Sequence, residues 1–410
     1  MEQKRRFSIG SFLGLDDTGT FGILLALFWT FTTLPYYARG VIVRLMGSGV
    51  EEYVIPFFFI VAAILCLRTI IKATRFWDYA FMIALVLFFL GCYSWFPQNK
   101  PYLEEYEESF LYWSLPFFIV GITTSFRKCQ RLLYVFSVLA IFLQLLFLLA
   151  NGISVKDQGE KEAFGLAYGI LPAVLFMIWK AFEDKTLLSI TIAIIGILNV
   201  VFMGTRGPIL VIAEFIVLFL LFFCHFEHPI RARFIIAFLS VPIFLLFENI
   251  LELLMDLSIS LGFSDRALEV FSNSDNLSEL LLESSGRDVI YENLIDAIGK
   301  APFWGYGPGA DHIYSDFYEA YAHNIILEML IEYGLIPGAV ILLSILALIV
   351  IAFKKCKDHD TMIFLLVCVT FGFLGLMTSG VYWTSREFFF MLGVCVSVIR
   401  NNKGNLPVRK

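Results

Sequence analysis

The chain has 410 residues, of which 59% are hydrophobic and 16% charged, with a net charge of −6. A soluble domain carries roughly 25% charged residues, and here the mean hydropathy is +0.79, so a water-soluble globular fold is excluded. The net charge itself says little, because a membrane protein sorts its charges by side.

The chain opens on a basic segment, Met1 to Arg6, and no apolar stretch follows before Phe21, with Asp16 and Asp17 between. A cleaved signal peptide has its apolar region directly after the basic residues. The first span is therefore expected to be a retained anchor. From there apolar runs recur, each of about 17–25 residues and long enough to cross a hydrocarbon core. The pattern predicts an all-α polytopic membrane protein of about twelve spans. Their centres fall near residues 30, 62, 87, 117, 141, 173, 195, 216, 241, 344, 370 and 393. The last, Glu387 to Ile399, is barely long enough.

Lys and Arg orient such a bundle. They cluster at every second connection: Lys4 to Arg6, Lys72 and Arg75, Arg127 to Arg131, Lys180 and Lys185, Arg231 and Arg233, Lys354 to Lys357, and Arg400 to Lys410. These are expected in the cytoplasm, with both termini. Most intervening connections are short or acidic, as in Pro101 to Glu108; Arg39 and Arg44 in the first are the exception. Three segments follow, as one integrated membrane domain: spans over 1–248, a large extracytoplasmic loop over 249–322, and the last spans over 323–410. Of the five histidines only His312 and His323 face outward. None of the seven cysteines (66, 92, 129, 224, 356, 368 and 395) falls in an external loop, and there is no CxxC pair, disulfide framework or metal motif. The connections hold no nucleotide fold and no phosphate-binding glycine loop. Neither a cofactor nor a nucleic-acid partner is expected.

Taken in chain order, the first candidate is Arg206, in a tight external turn between Gly204 and Gly207. An interfacial Arg can simply snorkel to head groups. Deeper on the same span lies Glu214, an intramembrane carboxylate of the kind that is functional by default. In the loop, Ser285-Gly286-Arg287-Asp288 reads as a helix start, with Ser285 as cap and Asp288 as the capping-box acid. Val289, Ile290, Leu294 and Ile298 continue at helical spacing, and Gly299 and Pro302 end it. Arg287 then lies in a first turn rich in free N–H groups, which suits a diphosphate; a solvated ion pair is the plain alternative. Pro302-Phe303-Trp304-Gly305-Tyr306-Gly307-Pro308-Gly309 is a rigid aromatic turn, with Trp304 and Tyr306 suited either to stacking on sugars or to anchoring at the interface. His323 begins the next helix, where the helix end disfavours imidazolium and keeps it a proton acceptor. Asn324 beside it is placed to hydrogen-bond a sugar hydroxyl; the plain alternative for His323 is a capping His without chemistry. Arg386 with Glu387, at the last external turn, is a further candidate. The loop is acidic overall, so a bound phosphate must be gripped by a few aimed cations, of which Arg206 and Arg287 are the best placed.

These pieces together resemble the O-antigen ligase and polymerase family of bacterial surface-polysaccharide assembly. The resemblance rests on Arg206-Gly207-Pro208-Ile209-Leu210 at the seventh–eighth turn, on Ser285-Gly286-Arg287, on Pro302-x-x-Gly305-x-Gly307, and on His323-Asn324 followed after nine residues by Gly334. Gly334 to Gly338 departs from the family's frequent Gly-x-x-Gly.

The resemblance implies a GT-C-like membrane glycosyltransferase, inverting and metal-independent, at the outer face of the inner membrane. Its donor would be a glycan on undecaprenyl diphosphate and its acceptor a glycan or glycolipid. A flippase and a chain-length regulator would be its companions. His323 would act as base, with Arg287 and Arg206 on the leaving diphosphate. Asn324, Trp304, Tyr306, Glu214 and Arg386 would contact substrate. A polymerase, joining lipid-linked repeat units, is placed ahead of a ligase acting on lipid A-core. Two rivals remain. A twelve-helix transporter would show two similar halves and broken midplane helices, which the sequence lacks. A peptidoglycan-polymerase type would use an external Asp as base, and Asp311 and Asp316 have no supporting motif.

Overall fold

The computed structural model describes residues 18–31, 51–150, 160–203, 206–223, 287–315 and 321–401. All regular elements among them are helical. Of the expected span centres, that near 241 lies outside the described residues, and the others fall on helical segments. Five helical stretches are long and apolar enough to cross a membrane: Phe76–Trp95, Phe126–Leu149, Gly165–Asp184, Leu335–Lys355 and His359–Met377. Leu187–Phe202 and Gly207–Phe222 are shorter apolar helices. The chain is thus a polytopic, multi-pass membrane protein.

The structure divides into two compact units. The first holds α1 (Thr18–Phe31), α2 (Glu51–Ala73), α6 (Phe126–Ala150), α7 (Glu160–Asp184) and α8 (Leu187–Phe202). Small residues let its helices approach: a Cβ on Gly22 would stand 2.5 Å from the Cys66 sulfur. Polar side chains bond across the helices, as close packing in lipid favours. Asn199 Nδ2 donates to the Ile141 carbonyl at 2.9 Å, and the Cys66 thiol donates to Gly19 at 3.0 Å.

The second unit carries every candidate site residue. It holds α3 (Phe76–Trp95), α4 (Lys100–Ser109) running through a π-helical turn (Phe110–Ser114) into α5 (Leu115–Thr123), and α9 (Arg206–Phe222). The polar loop contributes α10 (Arg287–Lys300) and α11 (Ala310–Tyr314). Then come α12 (Ile325–Tyr333), α13 (Leu335–Lys355), α14 (His359–Val369), a second π turn (Thr370–Leu374), a 3-10 turn (Gly375–Met377) and α15 (Arg386–Asn401). Three features hold the unit together. Gly121 of α5 and Gly393 of α15 meet backbone to backbone, where either Cβ would lie 2.9 Å from the other's Cα. Arg400 grips the Asp78 carboxylate with two guanidinium nitrogens, one at 2.6 Å, tying the start of α3 to the end of α15. Trp383 packs its buried ring on Phe89 and Phe110 with centroids 5.3 and 4.9 Å away.

Candidate active site

The loop folds on α12. Ile290, Leu294 and Ala297 recur at helical spacing on one face of α10 and are buried with Ala310, Ala322 and Ile331, while Val289 and Ile295 point outward. The apolar stripe turns the polar face of α10 away and fixes its first residue, Arg287. That guanidinium is half buried, and its Nε has no hydrogen-bond partner among the described residues. The reading of Ser285 as cap falls outside the described residues, as do the side chain of Asp288 and Asp316.

The aromatic turn is built as a clamp on the end of α12. A helix leaves its last carbonyls without internal partners. Here the amides of Tyr306 and Gly307 donate to the Ile331 and Glu332 carbonyls at 3.0 and 2.8 Å. The Glu332 carboxylate in turn accepts from the Gly309 amide at 2.8 Å, from Trp383 Nε1 at 3.2 Å and from the Tyr382 hydroxyl. Asn99 closes the clamp from α4's side, donating to the Tyr306 and Pro308 carbonyls at 2.8 and 2.9 Å. Gly305 requires its missing side chain twice over: its φ is +72°, and a Cβ would sit 2.2 Å from the Glu332 carbonyl oxygen. Tyr306 stacks on Tyr314 with centroids 4.2 Å apart, inside the loop's own core. Trp304, at 71% exposure, stands out from the turn.

His323 lies one residue before the position expected for it. The helix starts at Ile325, and Asn324 is its N-cap, its Oδ1 accepting from the amides of Ile326 at 2.9 Å and Leu327 at 3.4 Å. The Asn324 oxygen is thus held by the backbone. His323 stands just outside the helix in the left-handed region, with φ +50°. Its Nδ1 faces the Ser379 hydroxyl at 3.4 Å, which also meets the Tyr321 hydroxyl at 2.7 Å, and the Tyr321 ring lies 3.9 Å from the imidazole centroid. The imidazole is pushed down to about 4, first by burial, then by the Arg287 charge and by His312. It is therefore uncharged at neutral pH, but the cause is desolvation and a neighbouring cation more than the helix end. The Arg287 charge thus reaches His323. Tyr321 and Ser379, which orient the imidazole, carry no signal in the sequence.

The other candidates are placed as follows. α9 begins at Arg206, whose side chain lies outside the described residues. Glu214 has a buried Oε2 with no partner among the described residues. Arg386 is paired with its neighbour Glu387, Nε to Oε1 at 2.9 Å. Asp311 is fully buried, and its Oδ2 accepts from the Ala322 amide at 2.9 Å, so it braces the approach to His323 instead of standing open as a base. Burial raises its carboxyl above the ordinary range.

Against the other end of α12 opens a cavity of about 1100 Å³. Phe81, Leu85 and Phe88 of α3, Val340, Ile341 and Leu348 of α13, and Trp304 and Gly305 of the turn line it. Its walls are almost wholly apolar, with Glu332 and Ser344 among the few polar residues. Among the described residues no group of His, Cys, Asp and Glu is arranged to hold a metal ion.

Residues 191–343 match a family model described as O-antigen ligase. The matched stretch takes in α9, the polar loop, α12 and the start of α13, and with them Arg206, Arg287 and His323; Arg386 lies beyond it. No curated protein and no solved structure matches the chain. The match supports the resemblance seen in the motifs, over the segment that carries Arg206, Arg287 and His323.

Proposed function

We propose that the chain transfers a glycan from an undecaprenyl diphosphate carrier to an acceptor sugar hydroxyl at the outer face of the cytoplasmic membrane, with inversion and without a metal. The observation that supports the reading is a half-buried His323 before the first turn of α12, held uncharged by burial and by the charge of Arg287. The acceptor oxygen attacks the anomeric carbon and a new C–O bond forms. The bond from that carbon to the diphosphate oxygen breaks, and its electron pair leaves on the diphosphate. The hydroxyl proton passes to His323. Charge grows on the leaving group as the bond lengthens, and Arg287, with Arg206 of α9, stabilises that growth more than the ground state. The energy is already stored in the donor, so no nucleotide is required outside the cell. The apolar cavity beside α12 has the lining that the first isoprene units of a polyprenyl tail require.

Repeat-unit polymerisation is the first reading, and transfer of finished glycan to a lipid A-core sugar is the second. Both use the same residues and differ in the acceptor. Reconstitution in liposomes with a lipid-linked repeat unit separates them. Lengthened lipid-linked chains without added acceptor indicate the polymerase, and product only with a core glycolipid indicates the ligase. No product under either condition, from protein that is folded in the bilayer, sinks the glycosyl-transfer reading.

A further inference from the structure

A second imidazole sits beside this site without an assigned task. His312, in α11, stacks on Tyr102 of α4 with centroids 4.5 Å apart and planes 19° from parallel. The Tyr106 and Tyr321 rings lie 6.0 Å from it. Both of its ring nitrogens are buried, and neither has a hydrogen-bond partner among the described residues. The same holds for the Arg287 Nε and the Tyr106 hydroxyl. Buried polar atoms are normally paired, because leaving one unpaired costs stability. Other polar groups close by are paired: the Glu332 carboxylate accepts three hydrogen bonds, and Asn324 Oδ1 accepts two. The unpaired atoms of Arg287, His312 and Tyr106 belong to groups that can donate, while Asp311 Oδ1, on the residue before His312, is a buried acceptor without a partner among the described residues. Tyr321 touches both imidazoles, at 6.0 Å for His312 and 3.9 Å for His323, so the three rings form one continuous wall.

We propose that His312 is a catalytic residue of the anion site: together with Arg287 it hydrogen-bonds the diphosphate of the lipid-linked donor, leaving His323 to take the acceptor's proton. The identity of the anion rests on the function proposed above. An imidazole N–H of His312 donates to a phosphate oxygen and keeps its proton throughout. As the glycosidic bond breaks and the pair settles on the diphosphate, that hydrogen bond strengthens. Tyr102 holds the ring flat by stacking, and Asp311, bonded to the Ala322 amide, fixes α11 against the residue before His323.

A purely structural ring makes the opposite prediction, and two replacements separate them. His312→Phe keeps a flat ring for Tyr102 and loses both nitrogens, whereas His312→Gln loses the ring and keeps a donor. Pyrophosphate binding to the full-length protein in nanodiscs is the first readout. His312→Phe is expected to weaken it roughly 10- to 100-fold, as for one lost hydrogen bond to a charged group, with His312→Gln less affected. Wild-type affinity in His312→Phe, or a better result from Phe than from Gln, overturns the proposal. Where either variant fails to fold, the wild type decides. Histidine-labelled protein, its five imidazoles assigned through replacement of the other four, is titrated with pyrophosphate and followed by NMR. A His312 resonance that does not move overturns the proposal. Pyrophosphate binding that depends on His312 in a protein without transferase activity would retire the proposed reaction and keep the anion site. A working transferase indifferent to His312→Phe would do the reverse.

Discussion

The charge of Arg287 shapes the chemistry of His323 before any substrate arrives. Burial and the Arg287 charge hold the imidazole down at about 4. It is then a weak base, and an anionic donor that neutralises Arg287 raises it toward the working pH. Only the neutral imidazole accepts a proton, so activity is lost as pH falls through its titration. The profile of kcat/KM, which reports the free enzyme, should be flat from pH 6 to 8 and fall only near pH 4. That of kcat, which reports the donor complex, should fall at a higher pH. A kcat limb below that of kcat/KM would contradict the electrostatic linkage. Arg287→Ala and His323→Ala should each lower product formation at least about 100-fold with the protein still in the membrane. Arg206→Lys should also be damaging, because a point charge does not replace a two-pronged guanidinium; chain-length ladders on a gel read all three. Arg287 and His323 stood out in the sequence because one of few cations in an acidic loop, and a His before an apolar helix, are unusual by type alone. Tyr321 and Ser379 were not, since the Ser379–His323 approach joins positions 56 apart in the chain. Tyr306 and Asn324 also serve the fold, through the stacking on Tyr314 and the two capping bonds, which composition alone does not reveal.

At the scale of elements, the Pro302–Gly309 turn is where sequence and structure agree on importance and differ on reason. Its glycines are present because the chain must pass through left-handed conformations against another backbone. Gly305→Ala carries about 1–2 kcal/mol for the conformation alone, and the 2.2 Å approach to Glu332 adds more. The expected result is a loop cut by protease at concentrations that spare the wild type, with activity lost as a consequence. Glu332→Ala should cost at least about 2 kcal/mol, because it leaves buried donors of Gly309, Tyr382 and Trp383 unpaired; a denaturation midpoint in detergent measures it. The periodicity of α10 and its stop at Lys300 could be read directly from apolar spacing and from Gly299 and Pro302. The break between α12 and α13 could not, since the run is apolar on both sides. Gly334 makes the break with φ +82° where its own Cβ would collide with the Phe303 carbonyl. The π turns at Phe110–Ser114 and Thr370–Leu374 were equally hidden, because an extra residue in one turn leaves the hydropathy profile unchanged.

For the whole molecule, composition was enough to establish a polytopic helical membrane protein, because lipid admits few other solutions. How helices pair was not readable, since apolar side chains facing lipid and facing one another are alike; it took the contact of Gly121 with Gly393 and the grip of Arg400 on Asp78 to set α5 and α3 against α15. A reaction that relies on guanidinium groups predicts that chelator leaves transfer intact; loss in EDTA with rescue by a divalent ion would call for a different mechanism. One element couples the two ends of this chemistry. α12 carries His323 just before its first turn and the clamped glycine turn, with the cavity wall, at its last. Nine helical residues measure about 13 Å, so α12 is a rigid ruler between the imidazole proposed to take the proton and the wall proposed for the lipid. Inserting a single residue in it would lengthen that span by about 1.5 Å and swing one end about 100° against the other. Such a change would uncouple carrier from acceptor while leaving every named side chain present.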